Sequence, residues 1–211
     1  MMEEIDIAAI REHVVMLHGL AAPLKGQGKL VVASFGEDPS QINPKTGKPG
    51  CPIVPKILHC EIGEVERAVD WITKLSREKH RNVYASLAVM RPNLPPGRKG
   101  EEDDIVGCLG VVADFDDAAA TYWEARVPLP PDLVIESSQG RFQCFYLFDT
   151  PEPVDRAKPI GRRLRDFCDS DHGSLDLTHV WRLCGTLNWP NAKKIAEGRP
   201  HEPQLAKRWA K

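Results

Sequence analysis

Residues 105–113, "IVGCLGVVA", carry no charge, and three carboxylates, Asp114, Asp116 and Asp117, follow within four positions. A continuous apolar run of this length reads as a strand covered on both faces. The chain must therefore supply apolar layers on each side of it, and the acids at its exit need a reason. Side chains two apart in an extended segment point the same way, so Asp114 and Asp116 project together. Their repulsion is costly in a half-buried place unless cations neutralise it. Paired carboxylates with oxygen donors only suit Mg²⁺ or Mn²⁺. Aspartate is also common where strands stop, and "DFDD" can equally cap a following helix. Both readings stand at this point.

At 211 residues, 42% hydrophobic and 27% charged, the chain has the composition of a soluble globular protein with one large domain or two small ones. Its apolar runs fall far short of the roughly 20 residues a membrane span needs, so no membrane partner is expected. The opening "MMEEIDIAAIREHVV" is acidic and amphipathic, unlike a signal peptide, which makes a cytoplasmic location the expectation. The six cysteines form no CxxC pair and are expected to be reduced and mostly buried. Cys51, His59 and Cys60 lack a recognised zinc spacing.

The net charge of −2 conceals a polarity. Residues 101–120 hold seven acids and no base, whereas residues 182–211 hold seven bases against Glu197 and Glu202. Such a split fits a polyanion partner, with the acids serving another purpose. Two solvated surfaces would look the same.

Periodicity predicts helices over 3–19, with Gly19 as a stop, and over 62–78. Strands are predicted at 29–35, 82–89, 105–116, 132–137 and 142–148, the last two joined by the glycine turn "SQGR". The stretch "EDPSQINPKTGKPGCP" reads as a long loop, and so does "RPNLPPGRKGEEDD". A short helix is expected at 117–125. Another is expected at 158–168, with Ile160, Leu164 and Phe167 inward. After Pro190 the pattern fades into a polar, basic tail. Strands and helices mix without strict alternation, so the fold class is α+β.

A second acidic group lies in "CDSDHGSLDLTHVWRLCGTLNWPN", where Asp169, Asp171 and Asp176 precede His179 and Arg182. A third carboxylate joining a metal pair, beside an arginine and a histidine, is what phosphoryl transfer requires. An acidic loop with a salt-bridged arginine is the plainer alternative. Between the two clusters, Gln143 sits on an apolar strand face with Phe145 and Leu147. It must either satisfy backbone groups or project toward the carboxylates.

These stretches, in this order, resemble the archaeo-eukaryotic primase superfamily, especially the primase-polymerase domains of plasmids and phages. "VVADFD" matches the strand ending in DxD. "SSQGRFQCFYLF" matches the Ser/Gly turn and strand that carries His or Gln. "SDHGSLDLTHVWRLCGTLNWPN" matches the acid followed by Arg and a Gly-Thr-x-Asn turn, and "NVYASLAVMRP" matches the strand before the first motif. The match spans about residues 80–195.

The resemblance implies an RRM-like antiparallel sheet packed with a second α/β unit. It sets a catalytic domain over 1–195, divided near residue 80, and a basic tail or linker over 196–211. It implies Asp114, Asp116 and Asp171 as catalytic ligands of two Mg²⁺ or Mn²⁺ ions, with Asp176 as runner-up for the third place. Ser138, Gly140, Gln143, His179 and Arg182 would bind the nucleotide. Gln143 stands where His is usual, and Cys184 where Pro is usual. Arg162, Arg163, Arg165, Lys193 and Lys194 would lie along template phosphates. The implied activity is primer synthesis on single-stranded DNA from nucleoside triphosphates, with extension by polymerisation. A replicative helicase, or a helicase domain C-terminal to this one, is the implied partner. A non-catalytic single-strand-binding module and a metal-dependent nuclease or phosphotransferase are the competing readings.

Overall fold

The computed structural model describes residues 4–117 and 120–209. Helix α1 (Ile7–Ala21) leads into the hairpin β1 (Lys29–Ile42) and β2 (Pro49–Glu61), followed by α2 (Val65–Ser76). Then come β3 (Arg81–Ser86), β4 (Ala88–Met90), β5 (Ile105–Phe115), β6 (Leu133–Ser138) and β7 (Arg141–Glu152). Helix α3 (Val154–Cys168) precedes β8 (Val180–Arg182), β9 (Leu187–Asn188), α4 (Ala192–Ala196), β10 (Gln204–Leu205) and β11 (Lys207–Arg208). The class is α+β, and every strand pairing among the described residues is antiparallel.

The main sheet runs β11-β6-β7-β5-β4-β1-β3-β8, with β2 on the other edge of β1. Because β1 pairs with both β3 and β4, the sheet crosses the expected division at residue 80 without a break. The sheet has an apolar layer on each face, as the charge-free run required. Val112, Ile135 and Phe145 face α1 and α2, alongside Ile10, Val14, Val69 and Ile72. Val111, Ala113 and Phe115 face the other way, with Leu164 and Cys168 of α3. Alternation along β5 therefore puts Asp114 on the side opposite α3. Both clusters use residues that are less than a tenth exposed.

Several expectations are corrected. α1 begins at Ile7 because the Asp6 carboxylate caps it, accepting from Ala9 N–H at 3.0 Å, and it runs past Gly19 to Ala21. The predicted loop after residue 36 is mostly hairpin, with β1 and β2 paired, through two register shifts, out to Ile42 and Pro49. Prolines and glycines are tolerated there because this arm is exposed and partly unpaired on its outer edge. The predicted strand at 82–89 is broken at Leu87. The short helix expected at 117–125 is a kinked 3₁₀-helix over Ala120–Ala125, with residues 118 and 119 outside the described residues. In α3 the buried stripe is Ala157, Gly161, Leu164 and Cys168, while Ile160 and Phe167 are exposed.

The segment expected as a tail returns to the sheet. Lys207 pairs with Glu136 of β6, and Trp209 meets Phe142 edge-on at 5.1 Å. All six cysteines are free. Among the described residues, no helix is long and apolar enough to cross a membrane.

Candidate active site

The break at Leu87 positions the site. Leu109 N–H donates to Leu87 O at 2.7 Å, and β4 pairs with the start of β5. Beyond this point β8 takes over the same edge, pairing Tyr84 with Arg182 and Ser86 with Val180. Arg182 thus comes beside the end of β5, and its N–H donates to Gln143 Oε1 at 3.1 Å. Gln143 lies opposite Asp114 in the β5–β7 register and hydrogen-bonds its carboxylate. Of the two roles open to Gln143, the structure shows both: it serves a backbone group and it reaches the acid.

Asp171 arrives from the end of α3. Its N–H donates to Asp114 O at 3.0 Å, and Asp114 N–H donates to Ser174 Oγ at 3.3 Å. The Asp171 carboxylate caps the 3₁₀ turn His172–Leu175 by accepting from Gly173 N–H at 2.7 Å. Positions 114 and 171, far apart in the chain, are neighbours. Asp176 accepts from the N–H and hydroxyl of Thr178 at 2.8 and 2.7 Å, which ties its carboxylate into a turn.

Burial, reinforced by the charges of Asp116 and Asp171, pushes the Asp114 carboxyl up to about 7, against the smaller downward pull of Gln143. Asp114 keeps some accessibility at the strand end, yet its carboxyl is packed round by protein. Its anionic form is destabilised, and a cation would relieve it.

Asp116 is exposed and held by three cations from separate segments. Arg199 donates to it at 2.8 Å, Arg141 Nε stands 3.1 Å away, and Lys194 Nζ 3.8 Å away. The donors fit a hard divalent ion in kind: oxygen only and anionic. Among the described residues, no three or more His, Cys, Asp or Glu side chains are gathered into a group that could hold a metal ion. Asp116 spends its charge on the basic side chains instead.

Arg182 is buried, and its guanidinium lies over the Tyr84 ring at 4.3 Å. Burial lowers its pKa, while Tyr84, Asp114 and Asp116 oppose that shift. Its Nη1 is buried without a hydrogen-bond partner, an expensive vacancy that an anionic ligand would fill. His179 packs on Trp181 at 4.4 Å, and a Cβ at Gly173 would touch both its ring and the Asp171 carboxylate. Burial lowers the His179 pKa, against the opposing charges of Asp176 and Asp171.

Ser138 is buried at the end of β6. Gly140, at φ 67°, makes the turn, and its N–H is taken by Glu136 Oε1 at 3.0 Å. The turn after β8 is pinned similarly: Thr186 Oγ1 donates to Leu183 O, and Asn188 donates to Ser137 O at 2.6 Å.

The remaining basic candidates divide. Lys194 is half-buried beside Asp116, whereas Lys193 is exposed and pairs with Glu197 at 3.7 Å. Arg162 and Arg163 stand exposed on α3, which packs on the sheet face away from Asp114. Arg165 is turned onto His172 at 2.7 Å and Asp166 at 2.9 Å. Arg141 and Arg199 were not singled out in the sequence. The only signal was the excess of basic residues beyond position 182, and it covers Arg199 alone. Phe142 and Phe145 of β7 are buried, so they provide no exposed platform for stacking bases.

No family model and no curated protein matches the sequence. Solved structures are similar to this chain, among them two over nearly its whole length. The primase-polymerase AEP domain of cyanophage S-2L is 13% identical, with 99% of this chain and 91% of that chain covered and a TM-score of 0.57. The primase RepB′ is 16% identical, with 93% of this chain and 56% of that chain covered and a TM-score of 0.53. With its antiparallel sheet and its carboxylates at the end of the charge-free strand, the chain has an archaeo-eukaryotic primase-like fold.

Proposed function

We propose that this chain is a metal-dependent nucleotidyltransferase that makes primers on single-stranded DNA and extends them. The observation that carries the proposal is the backbone bond of Asp171 to Asp114, whose carboxyl feels the charges of Asp116 and Asp171, beside Gln143 and the buried Arg182 on this fold. Asp114, Asp116 and Asp171 would hold Mg²⁺ or Mn²⁺. The ions supply Lewis-acid stabilisation of the attacking and departing oxygens when bound. Gln143 fixes the Asp114 carboxylate and, through the Arg182 backbone, the position of that guanidinium.

Arg182, Arg141, Lys194 and Arg199 supply the positive charge that a triphosphate needs. The hold of Arg141, Lys194 and Arg199 on Asp116 gives way when phosphates offer better partners. His179, near Asp171, offers a ring nitrogen for a hydrogen bond to the nucleotide. The exposed Lys193 lies along the template.

The test is incubation with single-stranded DNA, Mn²⁺ and labelled nucleotides, with and without a supplied primer. Primer synthesis with pyrophosphate release is expected, and Asp114→Ala abolishes it without loss of folding. Shortening of the DNA without pyrophosphate would instead identify a nuclease. Undiminished synthesis by Asp114→Ala would remove the metal assignment.

A further inference from the structure

A cleft of about 600 Å³ lies apart from the carboxylates, between the β1–β2 hairpin and α4. Pro39, Pro49, His80, Trp189 and Ile195 form its walls, with the exposed Lys79 among them. The volume suits a small planar ligand. The His80 ring meets Trp189 at 4.9 Å and 68°. His80 is held at φ 61°, a left-handed backbone uncommon for a residue with a side chain. Gly36 packs against it so closely that a Cβ there would collide with His80 O.

Trp189 is equally fixed. Its N–H donates to Asn82 Oδ1 at 2.7 Å, and its carbonyl accepts from Asn82 Nδ2 at 3.1 Å. His80 Nδ1 and Trp189 Nε1 are nevertheless buried with no hydrogen-bond partner.

Helix α4 joins this cleft to the carboxylates. Ala192 and Ile195 line the cleft, while Lys194 reaches Asp116. One helical turn separates the two sites. The nearby Asp38 carboxylate is occupied by Ser40 at 2.6 Å and Gln41 at 3.0 Å, and His80 Nε2 stands 3.6 Å from it.

We propose that this cleft holds one nucleobase, taken out of its stack, against Trp189 and His80. The inference rests on reading the carboxylate site as a nucleotidyl-transfer centre. Flat apolar walls, with the Trp189 ring among them, accept any base face. Lys79 lines the cleft with charge for the attached phosphate. The base comes either from the single-stranded template or from a free nucleotide.

The test uses binding without divalent cations, so that no synthesis is needed. Ala196→Trp fills the cleft from an exposed position of α4, and Trp189→Leu removes a wall. A labelled oligo(dT) is expected to bind both variants about tenfold more weakly than wild type, the scale of one lost stacking contact. A 5-iododeoxyuridine oligonucleotide is expected to cross-link to the peptide bearing Trp189. If a fluorescent deoxynucleoside triphosphate loses affinity instead, with oligo(dT) binding unchanged, the free nucleotide is the source.

Unchanged affinity for both ligands, with no cross-link to peptides bearing Pro39, His80 or Trp189, would overturn the proposal. That result leaves primer synthesis and its loss in Asp114→Ala untouched. Base binding by a protein that makes no primer would overturn the functional reading alone.

Discussion

Gln143 stands across from Asp114 in the β5–β7 pairing, and its amide links that carboxylate to the backbone N–H of Arg182. Gln143→Leu keeps the volume and removes both bonds. The Arg182 N–H is left buried and unpaired, a loss of about 1–3 kcal/mol. The Asp114 carboxyl loses the one hydrogen bond that lowers its pKa, so it ionises at higher pH. A Tm lower by about 2–10 °C and an alkaline shift in the pH profile of synthesis are expected. Calorimetry and assays between pH 6 and 9 check both, and an unshifted profile would separate Gln143 from Asp114 chemistry.

Two buried groups act in opposite directions on stability. Burial pushes His13 down to about 4, from an ordinary 6.5. The neutral ring accepts from Cys184 N–H at 3.2 Å, a bond that protonation destroys. Its contribution is complete above pH 6.5 and is lost as pH falls toward 4, by about 3 kcal/mol. Asp114, raised from 3.8 to about 7, does the reverse: its penalty is absent below pH 3.8 and grows as pH rises toward 7, to at most about 4 kcal/mol. In EDTA the two nearly cancel. Asp114→Asn removes the second, so its Tm climbs relative to wild type as pH rises from 4 to 7. Parallel Tm curves for the two proteins would contradict the raised Asp114 pKa.

The apolar strand and the acids at its end were legible because both depend on local sequence: a charge-free run, then carboxylates at alternate positions. The proximity of Asp171 to Asp114 was implied by resemblance, and no spacing could give it. The β1–β2 arm was misread because Pro39, Gly50 and Pro52 look like loop residues, whereas an exposed hairpin needs only backbone pairing to form. In α3, Ile160 and Phe167 are seven apart and mimic a core stripe, yet the sheet takes the small residues Ala157 and Gly161 for close approach. Arg199 stayed hidden because its meeting with Asp116 depends on the chain returning after β9, and Arg141 because its meeting depends on the β5–β7 register.

The grip of Arg141, Lys194 and Arg199 on Asp116 has a consequence for metal binding. These cations compete with a divalent ion for one carboxylate, then serve the triphosphate. Arg199→Ala is expected to bind Mn²⁺ several-fold more tightly without nucleotide, as read by paramagnetic resonance. The same variant should need about tenfold more nucleotide for half-maximal synthesis, with affinity for oligo(dT) held within twofold. Weaker Mn²⁺ binding in this variant would show that Arg199 orders the carboxylates rather than competing for them.

Gly185 joins the two ends of the chain next to the site. Asp6 N–H donates to its carbonyl at 2.9 Å, and its own N–H donates to Ala206 O at 2.7 Å. Its φ of +82° disfavours any side chain, and a Cβ would collide with Asp6 O and lie 2.9 Å from Ile10 N. Backbone strain and overpacking each cost about 1–3 kcal/mol, and the collision is with backbone that cannot swing aside. Gly185→Ala is expected to lower Tm by about 10 °C. Gly140→Ala serves as the comparison: φ is +67°, but the nearest atom to a Cβ is Thr121 Cγ2 at 3.4 Å, so only strain of about 1 kcal/mol applies. Thermal melts of the two variants check the ordering. Equal losses would mean that the closure of α1 onto the β8–β9 turn is looser than the packing around Gly185 indicates.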